Sequence, residues 1–81
     1  MNHSDIWDAI DSFASAHKMS SSGLARAGGL DATAFNHSKR WTRYGKEHWP
    51  SMQSIAKILT STNSDLKDFA KYVKSDKKSD D

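Results

Sequence analysis

Apolar residues recur at helical spacing over most of the chain, and the pattern predicts five helices. Ile6, Ile10, Phe13, Ala14 and His17, with Trp7 beside them, fall on one stripe and predict a first amphipathic helix over 5–17, which Ser4 can cap. Met19 to Ser22 is a polar connection whose serines offer an N-cap for a second helix through Leu24 and Ala25. Gly28 and Gly29 mark its end, because leaving a helix through a left-handed residue costs a side-chain-bearing position about 1 kcal/mol. Asp31 is a good N-cap for a third helix over about Ala32 to Lys39, with Phe35 turned back to the core. Met52, Ile55, Ala56 and Leu59, with Ile58 alongside, predict a fourth helix after Pro50 and Ser51. Leu66, Phe69, Ala70 and Val73 predict a fifth, capped by Asn63 or Ser64, with Tyr72 at its edge. No alternating stretch predicts a strand, so the fold class is all-α.

The stretch Ser21–Arg40 carries the most information, since two short helices joined by a glycine corner form the layout of a DNA-binding helix-turn-helix. Leu24 and Ala25 supply the apolar and the very small residue through which the two helices pack, and Leu30 anchors the turn. Ser38 stands where such units repeat an apolar residue after the aromatic. Either the helix ends early or its last turn is less buried than usual. An ordinary helical hairpin with no groove to enter would share the same glycines.

At 81 residues the chain makes one domain, and without cysteine it depends on an apolar core rather than disulfides or a Cys-based zinc site. His3, His17, His37 and His48 lie apart from acidic partners at ligand spacing and read as surface or packing histidines, so neither metal nor cofactor is expected. No apolar run approaches the ~20 residues needed to span a bilayer, and the acidic N-terminus lacks a signal peptide's positive flank, so a soluble, cytoplasmic protein is expected. There is no Ser/His/Asp constellation and no phosphate-binding glycine loop, and Asp5, Asp8 and Asp11 read as a solvated face; an enzyme is not expected.

The net charge of +2 is unevenly distributed. Residues 1–16 hold three aspartates and no Lys or Arg, whereas residues 17–50 hold six basic residues against Asp31 and Glu47. The excess sits on and just after the third predicted helix, at Lys39, Arg40, Arg43 and Lys46, which is what phosphate contact requires. The connection Trp41–Trp49, WTRYGKEHW, admits two readings that can hold together. Trp49 and Trp41 pin the loop to the core by their apolar area, and Arg43, Tyr44 and Lys46 reach a DNA backbone, with Gly45 allowing a tight turn. The tail from Lys74, KSDKKSDD, has no apolar residue and reads as a disordered end or linker, leaving residues 1–73 as the domain.

The helix order, LARAGGLDATAF, and WPSMQSIAKIL together resemble the DNA-binding domains of lambda-repressor-like, Cro/C1-type regulators. GLARAGGLDATAFNHSKR followed by WPS is similar in particular to N-terminal domains of bacterial and phage repressors that carry a LexA-like peptidase domain. The resemblance implies a compact five-helix bundle acting as a homodimer on a palindromic operator, the third helix of each copy in a major groove. It also implies a peptidase-like domain in a longer parent chain. From the placement of that helix, Thr33, Asn36 and His37, with Ala34, are the candidates for base edges, and Asn36 suits adenine N6 and N7. Ser21, Ser22, Lys39, Arg40, Arg43 and Lys46 are the candidates for phosphates. Phe69, Tyr72 and Val73 on the fifth helix are the candidate dimer contact. A protein-interaction module on the same fold, such as an antitoxin or anti-repressor, is the alternative; RNA binding is a weaker third.

Overall fold

A computed structural model describes residues 1–74, and most of the expected tail lies outside the described residues. The described part has four α-helices rather than five: α1 (His3–Ala16), α2 (Ser21–Ala27), α3 (Met52–Ser61) and α4 (Leu66–Ala70), with a short 3-10 turn at His37–Arg40. No named strand occurs among the described residues. One isolated antiparallel bridge pairs Trp41 with Glu47.

Each helix starts on a side chain that accepts from the first turn. Asn2, rather than Ser4, caps α1 and forms a reciprocal box with Asp5; Ser20 caps α2, Ser51 caps α3, and Asp65 forms a second reciprocal box with Asp68 at α4. The Asp65 cap replaces the expected Asn63 or Ser64. Three helices also end in one way. The amide of Met19 donates to Ala14 O, that of Leu30 to Ala25 O and that of Ser64 to Leu59 O, each across a left-handed residue: Lys18, Gly29 or Asn63. Gly29, at φ +77°, therefore does what its place in the sequence predicts.

α1 is the spine of the molecule. Six of the thirteen buried apolar residues among those described lie on it, and it packs against both α2 and α4. Phe13, fully buried, meets the rings of Phe69 and Tyr72 edge-on at 5.6 and 5.7 Å. Of the residues expected to make a dimer contact on the fifth helix, Phe69 is 2 % exposed and belongs to the monomer's core, whereas Tyr72 and Val73 are half-buried against it. α2 approaches α3 at Gly28, where a Cβ would stand 3.1 Å from Ile58 Cγ2 and 3.3 Å from Ile58 N. Gly28 is thus a packing glycine as well as the end of α2.

The missing helix is the third. Its residues 32–35 form successive turns, with Ala34 N donating to Asp31 O and Asn36 N to Thr33 O, and Asn36 itself is extended at ψ 154°. Thr33, Asn36 and Ser38 are weak helix formers whose side chains compete for backbone groups. Eight residues are also too few to be helical without help from packing. Here packing acts against the helix: an α-helix would give Phe35 O to Lys39 N, but Arg40 Nη2 takes that oxygen at 3.0 Å and Lys39 N turns to Asn36 O. Neither outcome left open by Ser38 describes the segment, since no α-helix forms there, and Ser38 lies exposed within the 3-10 turn.

Candidate nucleic-acid interface

Phe35 and Arg40 fix the segment 31–40 to the body, Ala32 and Ala34 are half-buried, and the other side chains are exposed. Phe35 is buried with its ring 6.2 Å from that of Trp7. Arg40 is buried as well, 6 % exposed, and pairs with Asp11 through two contacts of 2.9 and 3.2 Å while its guanidinium lies 4.9 Å from the Trp7 ring centroid. The sequence assigned Arg40 to phosphate. That assignment is corrected, because every exposed route for this guanidinium is closed by Asp11, Phe35 O and Trp7. Its Nε has no hydrogen-bond partner among the described residues. Asp11, correspondingly, is half-buried and paired with this guanidinium, unlike a free carboxylate of a solvated face.

The candidate base-contacting residues do not share one helical face. Thr33, Asn36 and His37 are exposed, and Ala34 is half-buried against the core. Asp31 holds Thr33 twice, accepting from its amide at 2.9 Å and its hydroxyl at 2.8 Å. These bonds, the backbone one foremost, together with the Lys39 ammonium, hold the Asp31 carboxyl below its ordinary value. Lys39 Nζ in turn donates to Thr33 Oγ1 at 3.2 Å. Asp31, Thr33 and Lys39 therefore form one exposed polar cluster. His37 borders a shallow depression that it shares with Ser4, Asp8 and Trp41, and Asp8 makes that side less favourable to a phosphate than the Lys39 side. Ser21 and Ser22 are half-buried in the first turn of α2, where Ser20 already takes the amide of Gly23.

Residues 41–47 form a small hairpin. Thr42 N donates to Lys46 O at 2.7 Å, Gly45 N donates to Thr42 O at 2.9 Å, and Thr42 Oγ1 accepts from the amides of Tyr44 and Lys46. Gly45, at φ +80°, closes the turn as its place between Tyr44 and Lys46 predicts. Arg43 and Lys46 are exposed, and Tyr44 is 80 % exposed with the Arg43 guanidinium 5.5 Å from its ring centroid. Trp41 and Trp49 stay half in solvent, so the loop is pinned less by their area than expected.

Sequence reasoning did not see what pins it. His3 is buried, and its Nε2 lies 2.7 Å from Arg40 O and 3.0 Å from His48 O, while Trp7 Nε1 donates to His48 O at 3.0 Å. Carbonyl oxygens only accept, so the contacts of His3 Nε2 with Arg40 O and His48 O call for a proton on that nitrogen, and with it there the Trp7 indole N–H, 3.1 Å from the same Nε2, is left to donate to His48 O. The bond from His48 N to Arg40 O completes a ring of contacts at the hairpin's base, and the ring of Trp41 tilts over that of His3 at 4.6 Å. One signal was present: His3, Trp7 and Asp11 are spaced four apart and line a single stripe of α1, beside the apolar face of this amphipathic helix.

No helix among the described residues is long and apolar enough to cross a membrane, and none of their His, Asp and Glu groups could hold a metal ion. No family model matches the chain, and comparison with curated proteins and with solved structures likewise finds no match.

Proposed function

We propose that this chain is a sequence-specific, double-stranded DNA-binding domain of a transcriptional regulator, a repressor acting as a homodimer on a two-fold symmetric operator. The observation that carries the reading is the segment 33–39, fixed from beneath by Phe35 and Arg40 and presenting Thr33, Asn36, His37 and Lys39 to solvent directly after the Gly28–Gly29 corner. In this reading α2 and the segment make the helix-turn-helix, with the last part entering the major groove as a turn and a 3-10 coil that lengthens on contact. Asn36 offers its amide to a base edge, Thr33 contacts a base edge or a thymine methyl, and Lys39, Arg43 and Lys46 neutralise phosphates. Arg40 orients the segment and touches no phosphate.

Selection from a pool of random duplexes at two salt concentrations tests this. Enrichment of a two-fold symmetric site supports it, and salt-sensitive binding without enrichment, or no binding, refutes sequence-specific recognition. On the selected site Asn36→Ala should cost about 1–3 kcal/mol and relax one base pair, whereas Lys39→Ala should weaken all duplexes and lower the salt slope by about one.

One observation favours the second reading, a protein-interaction module. An open apolar groove runs between Ile6, Ile55 and Phe69, with Met52 and Leu66 exposed on its rim. An antitoxin or anti-repressor would seat its partner there and leave duplex DNA unbound.

A further inference from the structure

The hairpin 41–47 combines three properties that a flexible surface loop lacks. It is stiff, being closed by the Thr42–Lys46 bond and the Gly45 turn and clamped at its base by His3, Trp7 and the Arg40–His48 bond. It is basic at its end, where Arg43 and Lys46 stand against Glu47 alone. Its tip also holds a large aromatic ring in water, Tyr44, with the Arg43 guanidinium facing it at 5.5 Å. At 5.5 Å the ring face attracts the guanidinium, which favours conformers that keep the arginine beside Tyr44 at the hairpin's tip.

We infer that this hairpin is a second DNA-contacting element, which places the Arg43 guanidinium in the minor groove beside the major-groove segment. The inference rests on the duplex-binding reading and extends it from phosphate contact to groove recognition. Reach is sufficient. The hairpin leaves the body one residue after the anchored Arg40, and three extended residues at ~3.3 Å each, with an arginine side chain beyond them, approach the half-turn of ~17 Å between neighbouring grooves. Size also fits: a groove ~6 Å wide excludes a helix but admits a guanidinium, and its potential is most negative where A·T pairs narrow it. Tyr44 then lies against the sugars at the groove's lip, and Lys46 meets the adjoining phosphate.

Alternating dA-dT, dI-dC and dG-dC duplexes separate the grooves, because I·C pairs match A·T in the minor groove and G·C in the major groove. The chain should bind dA-dT and dI-dC duplexes with similar affinity and dG-dC duplexes at least about fivefold more weakly. Arg43→Ala should abolish the difference. Arg43→Lys, which keeps the charge but not the planar fork, should lose most of the discrimination, chiefly through weaker binding of the dA-dT and dI-dC duplexes. Arg43 is exposed and outside the core, so both variants keep the fold, which circular dichroism checks. Equal binding of dI-dC and dG-dC duplexes by the unaltered chain, or a preference that survives Arg43→Ala, overturns the inference while leaving duplex binding intact. Failure to bind any of the three removes the duplex-binding reading as well.

Discussion

The guanidinium of Arg40 and the carboxylate of Asp11 meet as a fork, Nη2 to Oδ1 at 2.9 Å and Nη1 to Oδ2 at 3.2 Å, across 29 residues of sequence. This pair decides the shape of the candidate interface. It draws the end of the segment 31–40 down onto α1, and the same guanidinium removes Phe35 O from the bond that would have propagated a helix.

Arg40→Ala should therefore destabilise the fold by about 2–3 kcal/mol, read as a lower urea midpoint, since Phe35 O loses its donor and Trp7 its cover. Asp11→Ala should cost a comparable amount by leaving a buried guanidinium without its anion. Where Arg40→Ala remains folded, the salt dependence of its duplex binding should match that of the unaltered chain. A slope reduced by about one would return Arg40 to the phosphate contacts.

The two glycines of the corner should fail for different reasons. Gly28→Ala, at an ordinary φ of −83°, meets Ile58 Cγ2 and its backbone nitrogen and should cost about 1–3 kcal/mol by forcing α2 from α3. Gly29→Ala meets nothing within 4 Å but holds φ +77°, and should cost about 1 kcal/mol through backbone strain. Gly29→Asn should recover part of the second loss, as asparagine tolerates that conformation, while Gly28→Asn should be worse than Gly28→Ala. Thermal melts of the four variants check the order.

Lys18 and Asn63 occupy the same left-handed helix end as Gly29, at φ 59° and 56°. Lys18→Gly should raise stability by about 0.5 kcal/mol, the relief of strain exceeding the extra freedom of glycine in the unfolded chain. Asn63→Gly should be nearly neutral. A loss of stability in Lys18→Gly would mean that the lysine side chain contributes more than its backbone conformation costs.

Asp31 links acid to the shape of the interface. Its carboxyl is held below the ordinary 3.8 by the two Thr33 bonds and Lys39, so the stabilisation is present at neutral pH, above the unfolded-state value. It is lost as pH falls through the folded value. Carboxyl NMR should show the Asp31 midpoint below that of a disordered aspartate, and Thr33→Ala should move it upward. The amide of Thr33 should exchange faster in Asp31→Ala at pH 7.

Sequence by itself determined most of the helical frame. The stripe of Ile6, Ile10, Phe13 and Ala14 set α1, Pro50 and Ser51 set the start of α3, and Gly29 set the corner, because each is a local matter of period, cap or allowed φ. The exposure of Thr33, Asn36, His37, Lys39, Arg43 and Lys46 was legible for the same reason, since short polar residues flank one buried aromatic. Only the tertiary structure decided the rest. A helix over 32–39 and a solvated Arg40 are both what local propensity and charge suggest, and both yield to contacts with α1 that lie 29 and 37 residues away in sequence. The polar stripe His3, Trp7 and Asp11 has no meaning until a guanidinium and two carbonyls arrive to satisfy it. A buried charge must then keep the partners it finds, whatever its neighbours in sequence would prefer.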